Sequence, residues 1–175
     1  MGLTDIRPLN SRQKNPIAAY GSQATLGNIR KIFYFIFDVP EHLQQYYPQV
    51  DLRLMNDATD ICGLTFHPFT VFHGRMPVTA FRFGKTAYIT DVNHIPEEHF
   101  KLLEDLDLLI LEAFRHEPHI SHYSLDEAIA IASKIGAKQT LFTHISHDLD
   151  HDKVSNDLPE SVSLAYDGLK VNLSL

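Results

Sequence analysis

The stretch from Ile61 to Asp91 is dense in Thr, Val, Phe and Tyr and is broken only at Gly74-Arg75 and Gly84-Lys85. β-Branched and aromatic side chains suit a pleated, half-buried surface, and a glycine dipeptide between two such runs marks a hairpin. The spacing predicts three consecutive strands joined by hairpins. The pattern then changes. Pro96 to Leu103 reads as helical, and Leu106 to Leu111 as a fully buried strand. Ser124, with Glu127 three residues on, forms a capping box ahead of the apolar stripe Leu125, Ala128, Ile129 and Ala132, and Gly136 closes that helix before a strand at Gln139 to Thr143. A β-rich part followed by βαβ gives an α/β fold with a mixed sheet. Tyr166-Asp167-Gly168-Leu169 reads as a terminal hairpin turn.

Upstream the signals are weaker. Residues 1–16 carry Pro8, Asn10, Asn15 and Pro16 as breakers and read as loop, whereas Ser22 caps a helix running to about Phe33. Phe35-Ile36-Phe37 reads as buried coil or strand, and Leu52-Arg53-Leu54 as a short strand. With 175 residues, 44% hydrophobic and 21% charged, the chain is expected to form a single domain over 1–175. A formal charge of −7 argues against a nucleic-acid-binding surface, so an anionic substrate would need bound metal. The single Cys62 excludes a disulfide framework and reads as a small buried hydrophobe in a reducing compartment. No apolar run reaches membrane-span length and the N-terminus has no signal-peptide pattern, which points to a cytoplasmic protein.

Three strand-like runs end in a side chain that can bind metal: Phe72-His73-Gly74, Tyr88-Ile89-Thr90-Asp91 and Thr143-His144-Ile145. Imidazole and carboxylate are first-choice ligands for zinc, manganese or iron, and a strand end holds such a group on rigid backbone beside an open loop. Each has a plainer alternative. His73 standing alone would be an ordinary hydrogen-bonded histidine, and Asp91 an Asx-turn residue. Asp148, Asp150, His151 and Asp152 read as a solvated loop, and His42, His67, His94, His99 and His116 as structural or surface histidines. Arg7 and Arg82 could contact a substrate phosphate or serve as structural ion-pair partners.

The pieces FHPFTVFHGRMPVTAFRFGKTAYITDV, LDLLILEAFRHEPHISHYSLDEA, TLFTHISHD and LPESVSLAYDGLKV resemble the second half of a metallo-β-lactamase-fold hydrolase. They are most similar to the branch that includes the cyclic-phosphate phosphodiesterase of phosphonate breakdown and the tRNA 3′-processing nucleases. The opening Gly2-Leu3-Thr4-Asp5-Ile6-Arg7-Pro8 matches as well; in that branch it directly follows the metal motif H-x-H-x-D-H, which no segment of the 175 residues carries. The resemblance implies the second half of an αββα sandwich, with a mixed sheet and flanking helices, in a domain truncated at its N-terminus. It also implies a metal-dependent hydrolase, a phosphodiesterase using a metal-bridging hydroxide, with zinc or manganese as cofactor and a small phosphodiester or other anionic substrate.

Residue by residue, the resemblance makes His73 the histidine completing the first metal site, Asp91 the carboxylate bridging two metals, and His144 the last ligand of the second site. His122 matches the histidine that donates a proton to the leaving alkoxide, work suited to a group titrating near neutrality. His119 and His147 stand nearby and could orient a ligand, contact phosphate or be solvated. Three protein ligands over two metal positions is a sparse set, so metal occupancy that is partial or nil and turnover near background are expected of this chain alone. The alternative is a catalytically inactive half-domain that acts, if at all, by assembling with another chain. Without a first sheet, the face built by Phe69, Val71, Val78, Phe81 and Tyr88 would lack a packing partner, which predicts a homo-oligomer.

Overall fold

The computed structural model describes residues 2–173, which fall into two compact units divided between Asp57 and Ala58. In the first, a 3₁₀ turn at Gly2–Ile6 leads into α1 (Arg7–Gln13), so the stretch expected to be loop is helical. Proline is no obstacle there: Pro8 lies in the first turn, where its missing N–H has no intrahelical partner to lose. The buried Asn10 carboxamide donates to the carbonyls of Asn15 and Gln49 and accepts from the Gln49 N–H. β1 (Ile17–Gly21) pairs in parallel with β2 (Val50–Leu54), which contains the expected Leu52–Leu54 strand. Between them run α2 (Gln23–Ile32), capped by Ser22 as expected, and α3 (Tyr34–Phe37), one helical turn where coil or strand was expected.

The second unit is a seven-stranded sheet whose spatial order is its sequence order. β3 (Thr59–Ile61), β4 (Leu64–His73), β5 (Met76–Phe83) and β6 (Thr86–Ile89) form an antiparallel meander. The hairpins turn at Gly74-Arg75 and Gly84-Lys85 as expected, with both glycines at positive φ. A third tight turn is made by Cys62-Gly63, both at positive φ, which leaves Cys62 exposed instead of buried. From β6 onward the strands are parallel: β7 (Leu108–Glu112), β8 (Gln139–Thr143) and β9 (Val162–Leu164). The β6–β7 crossover is a 3₁₀ stretch at Glu97–Leu103, tighter than the helix expected from Pro96. α4 (Leu125–Ile135) crosses from β7 to β8 with its capping box formed and Gly136 as left-handed cap. α5 (His151–Asp157) crosses from β8 to β9. The Tyr166–Leu169 turn closes with a Leu169 N–H to Tyr166 O bond, but among the described residues no strand pairs after it, so there it forms a turn without the expected hairpin.

The core lies on one face of this sheet, where Phe69, Val71, Ala80, Ala87, Ile89, Leu109, Leu111 and Phe142 pack with Leu125, Ala128 and Ala132 of α4. Each such valine, leucine, isoleucine or phenylalanine contributes about 1.5–3 kcal/mol on burial. Phe69 and Val71 are 6% and 0% exposed, so they belong to this covered face. Val71 pairs with Val78, and Phe81, three residues along β5, points to the opposite face with its partner Tyr88. The open face expected from Phe69, Val71, Val78, Phe81 and Tyr88 is therefore two faces, with Tyr88 exposed on the second. No helix among the described residues is long and apolar enough to cross a membrane.

Candidate active site

β4 and β6 are each antiparallel to β5 and so run in the same direction, which β7 and β8 share. All four strands end at one edge of the sheet, the edge where α/β sheets present ligand-binding loops. His73 is the last residue of β4, Asp91 lies two residues beyond β6, Glu112 ends β7 and His144 follows β8. Asp91 and His144 both have positive φ, 57° and 56°, a conformation uncommon outside glycine and characteristic of positions where local strain is retained by the surrounding structure.

His122 lies at the centre of the edge, on the loop between β7 and α4. Its ring centroid is 4.5 Å from that of His73, 4.6 Å from Phe114, and 5.0 Å from both His119 and His144. His122 Nε2 is 3.0 Å from His73 Nε2, while its Nδ1 lies 3.1 and 3.2 Å from the two oxygens of Glu112. Glu112 is fully buried, and one of its oxygens also accepts the Tyr123 N–H at 3.1 Å. An ionised carboxylate accepts but cannot donate, so Glu112 favours a proton on His122 Nδ1, and the two Nε2 atoms of His122 and His73 share one proton that either ring can carry. A buried carboxylate is tolerated only when its oxygens are satisfied in this way.

On the other side His144 Nε2 lies 3.6 Å from Asp91 Oδ1. One ligand atom each from Asp91, Glu112, His122 and His144 falls within 4.8 Å of the others. Donors around one zinc at 2.0–2.2 Å are separated by roughly 3.4 Å, so these spacings fit a shared cation. The imidazole and carboxylate set suits zinc or manganese; His73 lies outside this group of four, against His122 Nε2, and Glu112 faces His122 Nδ1.

The structure thus brings His73, Asp91, His122 and His144 together. His119 joins them at the rim: its Nδ1 accepts from the Ser121 N–H at 3.3 Å, and burial, helped by the neighbouring His122 and Arg115, holds its pKa below the ordinary histidine value. His147 does not join, since its side chain is 96% exposed and faces Asp148 at 3.5 Å. Asp150 caps α5 by accepting the Lys153 N–H, and Arg82 is tied to the carbonyls of Gly84 and Leu102. Glu112 escaped the sequence reading, which ended its strand at Leu111. A charged residue closing the run Leu-Leu-Ile-Leu carries the same signal as the other three strand ends.

The beta-lactamase superfamily domain matches residues 1–145. A crystal structure of a diphosphatase from the PhnP family is 36% identical, with a TM-score of 0.87, over 98% of this chain and 65% of that one. The short form of human tRNase Z superposes with a TM-score of 0.66 at 19% identity, over 99% of this chain and 72% of that one. Zinc-bound PqqB from Methylobacterium extorquens does so with a TM-score of 0.68 at 16% identity, over 94% and 68%. At such identities these last two speak to the fold alone. An octanoyltransferase of Porphyromonas gingivalis is 27% identical over 97% of this chain, which spans 34% of that protein. The mixed sheet, its histidine- and carboxylate-bearing edge and these likenesses agree: the chain belongs to the beta-lactamase superfamily, in the metallo-β-lactamase fold.

Proposed function

We propose that this chain carries the phosphodiesterase half-site of a metal-dependent hydrolase acting on small phosphodiesters. The observation supporting it is the convergence at one sheet edge of Asp91, Glu112, His122 and His144, one ligand atom of each within 4.8 Å of the others, with His73 Nε2 3.0 Å from His122 Nε2. Likeness to a diphosphatase at 36% identity supports hydrolysis at phosphorus, and the chain spans 65% of that protein. His73, Asp91 and His144 would hold divalent zinc or manganese, which when bound neutralises phosphate charge and supplies a nucleophile at neutral pH.

The chain's own groups do the rest. Glu112 fixes the His122 ring by accepting from Nδ1 and stabilises its protonated form, which presents Nε2–H toward the cluster for transfer to the departing alkoxide oxygen. Phe114 packs 31° from parallel to the same ring and limits its tilt. The open cavity beside His144, lined by Thr143, Ile145, Ala165, Tyr166 and Asp167, offers room for the non-reacting part of a substrate.

The test is hydrolysis of bis(p-nitrophenyl) phosphate with manganese or zinc, by the chain alone and by a form extended with an H-x-H-x-D-H segment. Near-background turnover is expected from the 175 residues and metal-dependent turnover from the extended form. Asp91→Ala or His144→Ala in the extended form is expected to abolish that turnover, and His122→Ala to lower rate more than metal content. Chelator-resistant hydrolysis, or full activity in Asp91→Ala, would overturn the proposal.

A further inference from the structure

Asn93 lies two residues beyond Asp91, half-buried, where three site-bearing segments meet. Its main chain already belongs to the frame: the Asn93 N–H donates to Phe72 O at 2.8 Å, and its neighbour Val92 accepts the Tyr123 N–H at 3.0 Å. The side chain adds two bonds pointing in different directions. Oδ1 accepts the Gly74 N–H at 2.7 Å, in the turn directly after His73. Nδ2 donates to Ile120 O at 3.1 Å, in the loop that carries His119 and His122. These two loops are close neighbours at this point, because a Cβ added to Gly74 would lie 3.5 Å from Ser121 Cβ and 3.6 Å from Ile120 O.

We propose that Asn93 is a positioning residue: its carboxamide clasps the His73 turn to the His122 loop, and so sets the 3.0 Å approach of the His73 and His122 Nε2 atoms. The chemistry requires an amide. One end must accept from a backbone N–H while the other donates to a backbone carbonyl, which Asn does and Asp, with two acceptor oxygens, does not. Asp at this position keeps the Gly74 bond and sets a carboxylate oxygen against the Ile120 carbonyl; Leu, of similar size, loses both bonds. The main-chain bonds of Val92 and Asn93 persist in either variant, so the fold has no reason to fail. The catalytic importance of the clasp rests on the proposed function, whereas the clasp itself is a property of the free chain.

The test therefore uses the free chain, without metal or substrate. Histidine ring-nitrogen NMR reads the His73 to His122 hydrogen bond, and amide hydrogen exchange reads Gly74. In Asn93→Leu the Gly74 amide is expected to exchange about tenfold faster, the scale of one hydrogen bond, and the ring-nitrogen signature to be lost. In Asn93→Asp the Gly74 protection is expected to remain while the ring signature is lost, a combination that general destabilisation does not produce. An unchanged ring signature in either variant would overturn the proposal. Because no turnover is measured, that outcome is separable from failure of the phosphodiesterase reading.

Discussion

Glu112 and Tyr123 make opposite use of burial. Glu112 keeps a carboxylate at zero exposure because His122 Nδ1 and the Tyr123 N–H satisfy its oxygens. Glu112→Gln is nearly isosteric and can still accept from Tyr123, but its amide N–H₂ would face His122 Nδ1. The stable pairing then makes Nδ1 the acceptor and moves the ring proton to Nε2, the reverse of the tautomer that Glu112 imposes. We expect unchanged folding by circular dichroism, an altered His122 ring-nitrogen spectrum, and in any turnover-competent form a kcat lowered by about 10²–10⁴, because a neutral amide no longer stabilises the protonated ring that gives its proton to the leaving oxygen. Tyr123 has the reverse problem. Burial pushes its phenol up to about 12 from 10, because the phenolate would be desolvated. A raised folded pKa means that stability is fully present below pH 10 and is lost as pH rises through 12. Equilibrium unfolding between pH 10 and 12 should show a steeper loss in the parent than in Tyr123→Phe, which has no such ionisation.

At the scale of elements, α4 is set by its ends. Ser124 Oγ accepts from the Glu127 N–H and the Ser124 N–H donates to Glu127 Oε2 at 2.8 Å, while Gly136 closes the helix at φ 68°. Ser124→Ala should cost about 0.5–2 kcal/mol in denaturant unfolding. It should also disturb the site, because Ser124 immediately follows the His122-Tyr123 pair. These ends were legible because a cap is chemistry between residues three apart. The same locality explains the hairpins at Gly74-Arg75 and Gly84-Lys85, and it explains a miss. Val78 and Phe81 are three apart in one strand and must face opposite ways, so the proposed open face could have been recognised as two from parity alone. The parallel pairing of β1 with β2 was not legible, since its two strands are separated by two helices and carry no shared local signal.

For the whole molecule, the ligand set decides how it should respond to metal. In the proposed site His73, Asp91 and His144 would supply three donors over two metal positions, and a position short of protein ligands takes water instead, which weakens the chelate. Elemental analysis of the 175-residue chain after dialysis against zinc or manganese should find well under two ions per chain; two would show that other donors had been overlooked. With Phe69 and Val71 covered, self-association rests on exposed apolar side chains such as Tyr88 and Met76 and not on one open face. Light scattering at micromolar concentration should report a dimer or larger species, and a monodisperse monomer would refute that expectation.

The sequence by itself determined the mixed α/β sheet, the hairpins at Gly74-Arg75 and Gly84-Lys85, the capped helix and the three strand-end residues His73, Asp91 and His144. Each is written locally, in periodicity, in a glycine at positive φ, or in a strand that ends on a polar side chain. Only the tertiary structure decided that Glu112 turns inward onto His122 and that Asn93 joins the His73 turn to the Ile120 loop. It alone also decided that Cys62 faces outward and that His147 stands apart. These depend on register across the sheet and on loops brought together from distant parts of the chain, distances that no short window of residues encodes.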